Sequence, residues 1–353
     1  MIDLFFVGVL GFVLMSVVFW GIRTLPGETW QMLATIPSGR NSYGSWRGIN
    51  LTYYGFFTAT AHVLSVLIFL VLAGSIALSL GVSLVFVAAI LGICIPASKV
   101  MARLVEGKRH TFTVGGASFL GILLGPWIVL GLDLYKPISD ARHGMVIPIL
   151  SAMLIAYIFG EGFGRLSCLS FGCCYGRPIF HLPSTLHPFF ERFPLIFMGC
   201  TKKAAYEGDF EGQPLAPVQA ITAILFTFSA LIATYMFLSG WFKSAFTMVA
   251  VVTQGWRTVS EVMRADYRGN SHFSAYQKMS LFLVPYSLLV LWFLGGLWPT
   301  AQAHVDIKMG LEVLLSPSVL FFSIVLWFVI FIYTGVSRVT GARVSFHVIT
   351  ENI

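Results

Sequence analysis

A segment at residues 164–177 places two arginines and several glycines directly after a long apolar run. It reads GRLSCLSFGCCYGR, and an arginine at the end of a membrane span is costly unless an anion or a cavity receives it. Arg165 and Arg177 could clamp one phosphate through paired N–H donors, while glycines such as Gly176 allow close approach to the backbone. The alternative is that one arginine only reaches the membrane interface or caps a helix. We expect a lipid phosphate site here.

A second charged set recurs at helical spacing in residues 255–269. Its members lie four, three and four positions apart, which places them on one face of a helix; they are Arg257, Glu261, Arg264 and Arg268. The first two fall inside a predicted membrane span, where an ionisable residue indicates a functional site. Glu261 is the expected partner of Arg257. A structural ion pair is the alternative, although three positive charges exceed what a neutral pair requires.

Two weaker signals come from residues 50–57 and 113–125. The first opens a span with a tyrosine pair, and Tyr54 would lie at interfacial depth, where tyrosines are common. The second begins a glycine-rich helix at Gly115 and Gly116. Small residues usually mark close helix packing, but the free N–H groups of a helix start also favour phosphate.

The cysteines do not form a recognisable metal motif. Their number is odd, so at least one thiol is free or pairs with another chain; they are Cys94, Cys168, Cys173, Cys174 and Cys200. A zinc set of Cys173, Cys174, His181 and His187 lacks the usual CxxC spacing. We therefore predict no metal site, and the chain carries no nucleotide or haem motif.

Composition predicts an all-α polytopic membrane protein. Hydrophobic residues make up 57% of the chain and charged residues 10%, against about 25% charged in soluble domains. Windows of about 19 residues give nine candidate spans. They lie near 3–22, 52–73, 78–97, 113–132, 143–161, 216–239, 243–262, 277–297 and 317–336. The first has no clear cleavage site and is interpreted as a retained helix, and residues 162–215 form the largest insertion.

The chain is basic, with a net charge of +7. In so apolar a chain this charge favours contact with anionic lipid, and no nucleic-acid-binding motif is present. The ordinary excess of basic residues in cytoplasmic loops explains many of these charges equally well.

Taken in order, these segments resemble the prolipoprotein diacylglyceryl transferase family. The segment at 164–177 matches the ends of the family signature, and residues 257–266 resemble its Arg-x-x-x-Glu-x-x-Arg helix followed by an aspartate. Shorter resemblances lie at Tyr54-Gly55, at Pro217-Val218-Gln219 and at Gln277 to Ser280. The resemblance implies a seven-helix core at 51–297 with a small irregular head at 162–215. It leaves an extra helix at each end, in 1–50 and 298–353.

The resemblance also implies a reaction and a location. Family members move the diacylglyceryl group of phosphatidylglycerol onto the lipobox cysteine of a prolipoprotein, releasing glycerol phosphate, in the bacterial inner membrane. It implies no cofactor and no nucleic-acid partner. The catalytic set would be Tyr54, His110, Arg165 and Arg257. Phospholipid contacts would come from Gly115, Gly116, Gly176, Arg177, Gln219, Glu261 and Arg264.

The chain departs from the family pattern at four positions, one of which is Thr222, where members have a glutamate. Val114 stands where members place a histidine that is a candidate base; His110, one turn earlier, could replace it or be an interfacial histidine without a catalytic role. Cys168 and Cys173 occupy the asparagine and glutamate positions of the signature. The loop charges favour a cytoplasmic insertion, whereas the family places it outside. Two alternatives follow: a related transferase with another acceptor, or a lipid-binding protein without catalysis.

Overall fold

Long helices build most of this protein. The computed structural model describes residues 2–107, 113–135, 144–268, 273–297 and 305–353. The helices are α1 Ile2–Thr24, α2 Tyr53–Ser75, α3 Leu80–Glu106, α4 Val114–Tyr135, α5 Val146–Phe171, α6 His187–Phe190, α7 Lys203–Tyr206, α8 Val218–Leu238, α9 Phe242–Val262, α10 Ala275–Leu297, α11 Ile307–Leu314 and α12 Pro317–Gly335. The strands are β1 Met32–Arg40, β2 Trp46–Thr52 and β3 Val336–Val344.

Eight helices in the described part of the chain are long and apolar enough to cross a membrane. They are α1, α2, α3, α4, α5, α8, α10 and α12, which confirms the prediction of a mostly helical, multi-pass membrane protein. The seventh predicted span, near 243–262, is also a helix, α9, but it lies outside this apolar set because it carries polar residues such as Gln254, Arg257 and Glu261.

Helix α5 forms the centre of the bundle. Of its most apolar stretch 83% is buried, against 17% for α1 and for α12. It packs against α2, α8 and α9, so a side chain on α5 can reach three other helices. Large apolar side chains of the outer helices instead face outward, among them Phe5, Phe12 and Phe321. That outward surface suits lipid, which solvates apolar groups as well as the protein interior does.

A three-stranded antiparallel sheet was not predicted. Its order is β1-β2-β3, and β1 pairs with β2 from Met32 opposite Thr52 to Arg40 opposite Trp46. The hairpin turns through Gly44, whose φ of +82° suits a residue without a side chain. Since β2 leads directly into α2 and α12 leads directly into β3, the sheet ties the amino end of α2 to the carboxyl end of α12.

Two glycines let α12 approach α2 closely. A Cβ atom built on Gly55 would lie 2.1 Å from the Cα of Gly335, so any side chain at this position would force the helices apart. Close backbone approach through small residues is a common way to pack membrane helices. The contact holds the C-terminal helix beside Tyr54, the residue that precedes Gly55. A helix that sequence analysis set outside the core thereby becomes a wall of the site described below.

The irregular head begins later than predicted. Helix α5 continues through Phe171, so Gly164 and Arg165 lie inside the helix rather than in the irregular head predicted at 162–215. Gly172 ends the helix in the left-handed conformation, with φ of +72°. The head that follows contains only short helices and isolated bridges. Buried Lys202 anchors it by donating to the carbonyls of Leu25 and Ser170, at 3.0 and 2.6 Å.

Candidate functional site

A cavity of about 410 Å³ lies where α3, α4, α5 and α9 meet the C-terminal segment. Among the described residues that line it, eight are cationic and two are carboxylates. The cationic residues are Lys99, Arg103, Arg165, Lys203, Arg257, Arg264, Arg268 and Arg338; the carboxylates are Glu261 and Asp266. Such an excess of positive charge, partly shielded from water, favours an anionic ligand.

One face of α5 carries four polar residues at or beside the cavity. Tyr157, Glu161, Arg165 and Cys168 recur at spacings of four, four and three. The Glu161 carboxylate accepts hydrogen bonds from the Tyr157 hydroxyl and from Arg165. Its side chain is only 2% exposed. A carboxylate this deeply buried requires cationic partners to offset its desolvation.

Arg257 is the second cationic partner of Glu161. Its Nη2 lies 2.6 Å from Glu161 Oε2, and its Nε donates to the Tyr157 hydroxyl at 3.2 Å. The predicted pairing of Arg257 with Glu261 is therefore wrong. Helix packing turns Arg257 toward α5, whereas Glu261 lies 3.5 Å from Arg264 and accepts from Ser274 at 3.2 Å. Glu161 thus holds Arg165 and Arg257 side by side at the wall of the cavity.

The prediction that four charged residues share one helix face is also wrong. Helix α9 ends at Val262, so Arg264 and Arg268 belong to the segment after it. That segment pairs with the backbone of the head. Ala265 donates its N–H to the Tyr175 carbonyl at 3.1 Å, and Arg264 forms an isolated antiparallel β-bridge with Gly176. This pairing, rather than helical periodicity, brings Arg264 to the cavity.

Asp266 occupies the centre of this second cationic group. It accepts two hydrogen bonds of 2.7 Å from Arg264, and Arg268 lies 3.1 Å away. Burial raises the pKa of Asp266 from 3.8 to about 6, against the opposing effect of Arg264. The pKa of the neighbouring Cys174 thiol is held well below its usual value, chiefly by hydrogen bonds with the Cys168 and Cys173 thiols and further by Arg264 and Arg165. The hydrogen bonds with Cys168 and Cys174 raise the pKa of the Cys173 thiol in turn.

An apolar chamber of about 280 Å³ adjoins the cationic cavity. It runs between α2, α3, α4 and α5, where Phe69, Phe86, Ile90 and Met153 line it. Seven of the described residues line both spaces, so the two are contiguous: Tyr54, Thr113, Val114, Arg165, Cys168, Tyr333 and Thr334. The site therefore offers a charged end and an apolar end.

The remaining predicted residues are divided between the cavity and its support. Tyr54 and Gly115 line the cavity, and a Cβ on Gly115 would lie 3.2 Å from Arg257 Nη1. Gly116 instead packs against Met101 and is not among the described residues that line the cavity. His110 lies outside the described residues.

Three predicted phospholipid contacts lie away from the cavity lining. Arg177 is exposed and donates to the Arg264 carbonyl at 3.2 Å, so it does not form a clamp with Arg165. Gly176 packs on Ala216, whose carbonyl oxygen would lie 2.3 Å from an added Cβ. Buried Gln219 donates to the Cys173 carbonyl at 2.9 Å and so supports the loop rather than a ligand.

Several residues of the site were missed by the sequence analysis. Glu161 and Tyr157 were overlooked, although a glutamate four positions before Arg165 in an apolar helix is itself a signal. Lys99, Arg103 and Arg338 reach the cavity only through tertiary packing. The three thiols of Cys168, Cys173 and Cys174 also converge here, with all their sulfur atoms within 4.8 Å of one another. A group of three thiols at this spacing could bind a soft metal ion.

Sequence comparison leaves the family open. None of the known protein-family models matches this chain. No curated protein matches it either.

Proposed function

We propose that this protein binds an anionic glycerophospholipid, phosphatidylglycerol, and transfers its diacylglyceryl group to the cysteine thiol of a prolipoprotein. The observation that carries the proposal is that a cationic cavity and an apolar chamber are contiguous and share lining residues. A phosphate headgroup suits the first space and acyl chains suit the second. A soluble phosphate compound has no apolar group that would fill the adjoining chamber.

Arg165 and Arg257 are the proposed contacts of the phosphate. Both residues line the cavity, and each arginine side chain is 12% exposed. A guanidinium has five N–H donors, and those that Glu161 and Tyr157 do not occupy are available to a ligand oxygen. Glu161 neutralises one of the two charges, which leaves one net positive charge for a monoanionic phosphodiester. Tyr54, at the boundary of the two spaces, lies within the region where a glycerol backbone would bind.

The transfer itself is a displacement at carbon. The thiolate sulfur of the acceptor attacks the diacylglyceryl carbon that carries the phosphate ester, a sulfur–carbon bond forms, and the bond from that carbon to the phosphate oxygen breaks. Glycerol phosphate leaves with the electron pair of that bond. Arginines already in position stabilise the charge that develops on the departing phosphate. The proposal includes the location that the family resemblance implies, the bacterial inner membrane.

The test is release of glycerol phosphate from phosphatidylglycerol by purified protein in detergent, with a lipobox peptide present. We expect release that requires the peptide cysteine and stops when a serine peptide replaces it. Release that is the same without any peptide would contradict the prolipoprotein acceptor and support another one. Binding of phosphatidylglycerol with no release at all, from folded protein, would favour the lipid-binding alternative.

Acidification should strengthen phospholipid binding through Asp266. Its pKa of about 6 means that it loses its charge between pH 7.5 and 5, which removes one negative charge from beside Arg264 and Arg268 and leaves Glu261 as the carboxylate next to Arg264. We expect affinity for phosphatidylglycerol vesicles to rise about tenfold over this range, since one nearby charge changes. Because the phosphodiester keeps its charge, Asp266→Asn should bind tightly and equally at both pH values.

Protonation of Asp266 also stabilises the folded state, so the free energy of unfolding should fall as pH rises. The folded pKa of Asp266 exceeds the unfolded value of 3.8, so the folded state holds the proton more tightly. The contribution of this group is complete below pH 3.8 and disappears as pH rises through about 6. The measurement is the thermal midpoint as a function of pH. Lys203 and Cys174 also face Asp266, so the comparison is made in a Cys174→Ser background, in which that thiol cannot titrate. A pH response that survives Asp266→Asn would refute the assignment.

A further inference from the structure

Three cysteine thiols converge where α5 ends against the cationic cavity. Cys168 lies in the last turn of α5, and Cys173 and Cys174 follow its glycine cap. All three residues line the cavity, and their sulfur atoms lie within 4.8 Å of one another. The phospholipid contacts proposed above give these thiols no role.

The backbone at the end of α5 builds this cluster. The N–H groups of Gly172 and Cys173 both donate to the Cys168 carbonyl, at 2.8 and 3.1 Å, so the chain folds back on the last helical turn. Cys174 then adopts a φ of +58°, a left-handed conformation that residues with a Cβ rarely take. Gln219 fixes the intervening carbonyl of Cys173. The surrounding structure therefore holds the thiols together against a local conformational cost.

The sulfur spacing matches ligands that share one metal ion. In tetrahedral coordination with zinc–sulfur bonds of about 2.3 Å, two sulfur atoms lie about 3.8 Å apart. Cys168 Sγ and Cys174 Sγ are 3.7 Å apart. A disulfide would require about 2.0 Å and therefore a rearrangement of this loop.

The charges around the cluster suit three thiolates. Arg268 Nη2 approaches Cys174 Sγ at 3.9 Å, and Arg165 and Arg264 line the same cavity. Three thiolates around a divalent cation carry one net negative charge, which these guanidiniums balance. A cationic cavity that would repel a bare metal ion thus accepts one that is already surrounded by thiolates.

We propose that Cys168, Cys173 and Cys174 bind one soft divalent cation of the Zn²⁺ class, with the fourth coordination position open to the cavity. Three protein ligands and an open position are typical of a reactive metal site, and thiolates select soft ions. The fourth ligand is the acceptor thiol, an assignment that rests on the proposed function. The acceptor thiol releases its proton to water on binding the metal, and its sulfur then attacks the glycerol carbon as described above. This supplies a thiolate although Val114 provides no base.

The first test uses full-length protein in detergent, stripped with chelator under reducing conditions and titrated with Co²⁺. We expect one Co²⁺ per chain, a thiolate-to-cobalt charge-transfer band and displacement by Zn²⁺. Cys173→Ser and Cys174→Ser should lose most of the band, whereas the matched variant Cys200→Ser, at an exposed cysteine, should keep it. The absence of a band, or a band that survives Cys174→Ser, would overturn the site.

A second measurement needs no variant and therefore does not depend on whether the serine proteins fold. Wild-type protein is alkylated with iodoacetamide with and without Zn²⁺, and its cysteines are read by mass spectrometry. Zinc should protect Cys173 and Cys174 at least tenfold while Cys200 reacts equally in both samples. Equal labelling of Cys173 and Cys174 with and without Zn²⁺ would overturn the site.

The role of the fourth ligand is tested apart from the transfer itself. A lipobox peptide with cysteine should shift the cobalt band, and its serine counterpart should not. Equal glycerol phosphate release from stripped and zinc-loaded protein would overturn the metal-bound acceptor and leave the proposed transfer standing. A peptide-induced cobalt shift without any release would support the metal site and contradict the proposed transfer.

Discussion

Replacing Arg165 with alanine should lower peptide-dependent release of glycerol phosphate by about a thousandfold. Arg165 lines both the cationic cavity and the apolar chamber, its side chain is 12% exposed, and Glu161 holds its guanidinium in place. A donor fixed in this way stabilises charge on the leaving phosphate without rearrangement at the moment of reaction. The measurement is the rate of release at saturating lipid and peptide.

Two variants separate this effect from a loss of folding. Arg165→Lys keeps the charge and the pair with Glu161 but loses the planar fork, so release should fall about tenfold to a hundredfold. Arg192→Ala removes an exposed arginine of the head, outside the cavity, and should leave release within twofold. Release by Arg165→Ala at the wild-type rate, from protein with a normal thermal transition, would eliminate the proposed phosphate contact.

Replacing Glu161 with glutamine should destabilise the folded protein by about 3 to 5 kcal/mol. The carboxylate is 2% exposed and lies between Arg165 and Arg257, so its loss leaves two buried guanidiniums without a counter-charge. Glutamine has nearly the same size, and the change therefore tests charge rather than packing. The measurement is the thermal or denaturant midpoint in one detergent.

The matched control is Glu207→Gln. Glu207 pairs with Lys203 at 3.2 Å, but its side chain is 26% exposed, so we expect a loss below about 1 kcal/mol. Adding Arg257→Met to Glu161→Gln should recover part of the lost stability, because it removes one of the unbalanced charges. Equal midpoints for Glu161→Gln and the wild type would show that the pair does not stabilise the bundle.

The two proposals connect through Arg165. Arg165 lies four residues after Glu161 and three residues before Cys168, on the same face of α5. The proposed phosphate contact is therefore adjacent to the thiol cluster. A sulfur bound at the open metal position would face the same cavity as the departing phosphate. Nucleophile and leaving group could then meet at one glycerol carbon.

The sequence by itself determined the helices and the chemical character of the site. Apolar runs of about 20 residues predicted the long helices because a segment of that length and composition spans a bilayer. Arg165, Arg257 and Glu261 were singled out as charges within or at the end of apolar spans. Arg264 was singled out by its helical spacing and Tyr54 by its interfacial position, and all five line the cavity. Such signals are local, so they can be found without knowing which helices meet.

Only the tertiary structure decided which groups act together. Glu161 and Arg257 are 96 positions apart, and the rotation of α9 against α5 selects this pair over the neighbouring Glu261. Arg177 faces away although its spacing from Arg165 predicted a clamp, because α5 runs on to Phe171 and separates the two. Cys168 joins Cys173 and Cys174 because a left-handed glycine folds the chain back at the helix end. Partners on different helices are set by packing, and periodicity along one segment carries no record of it.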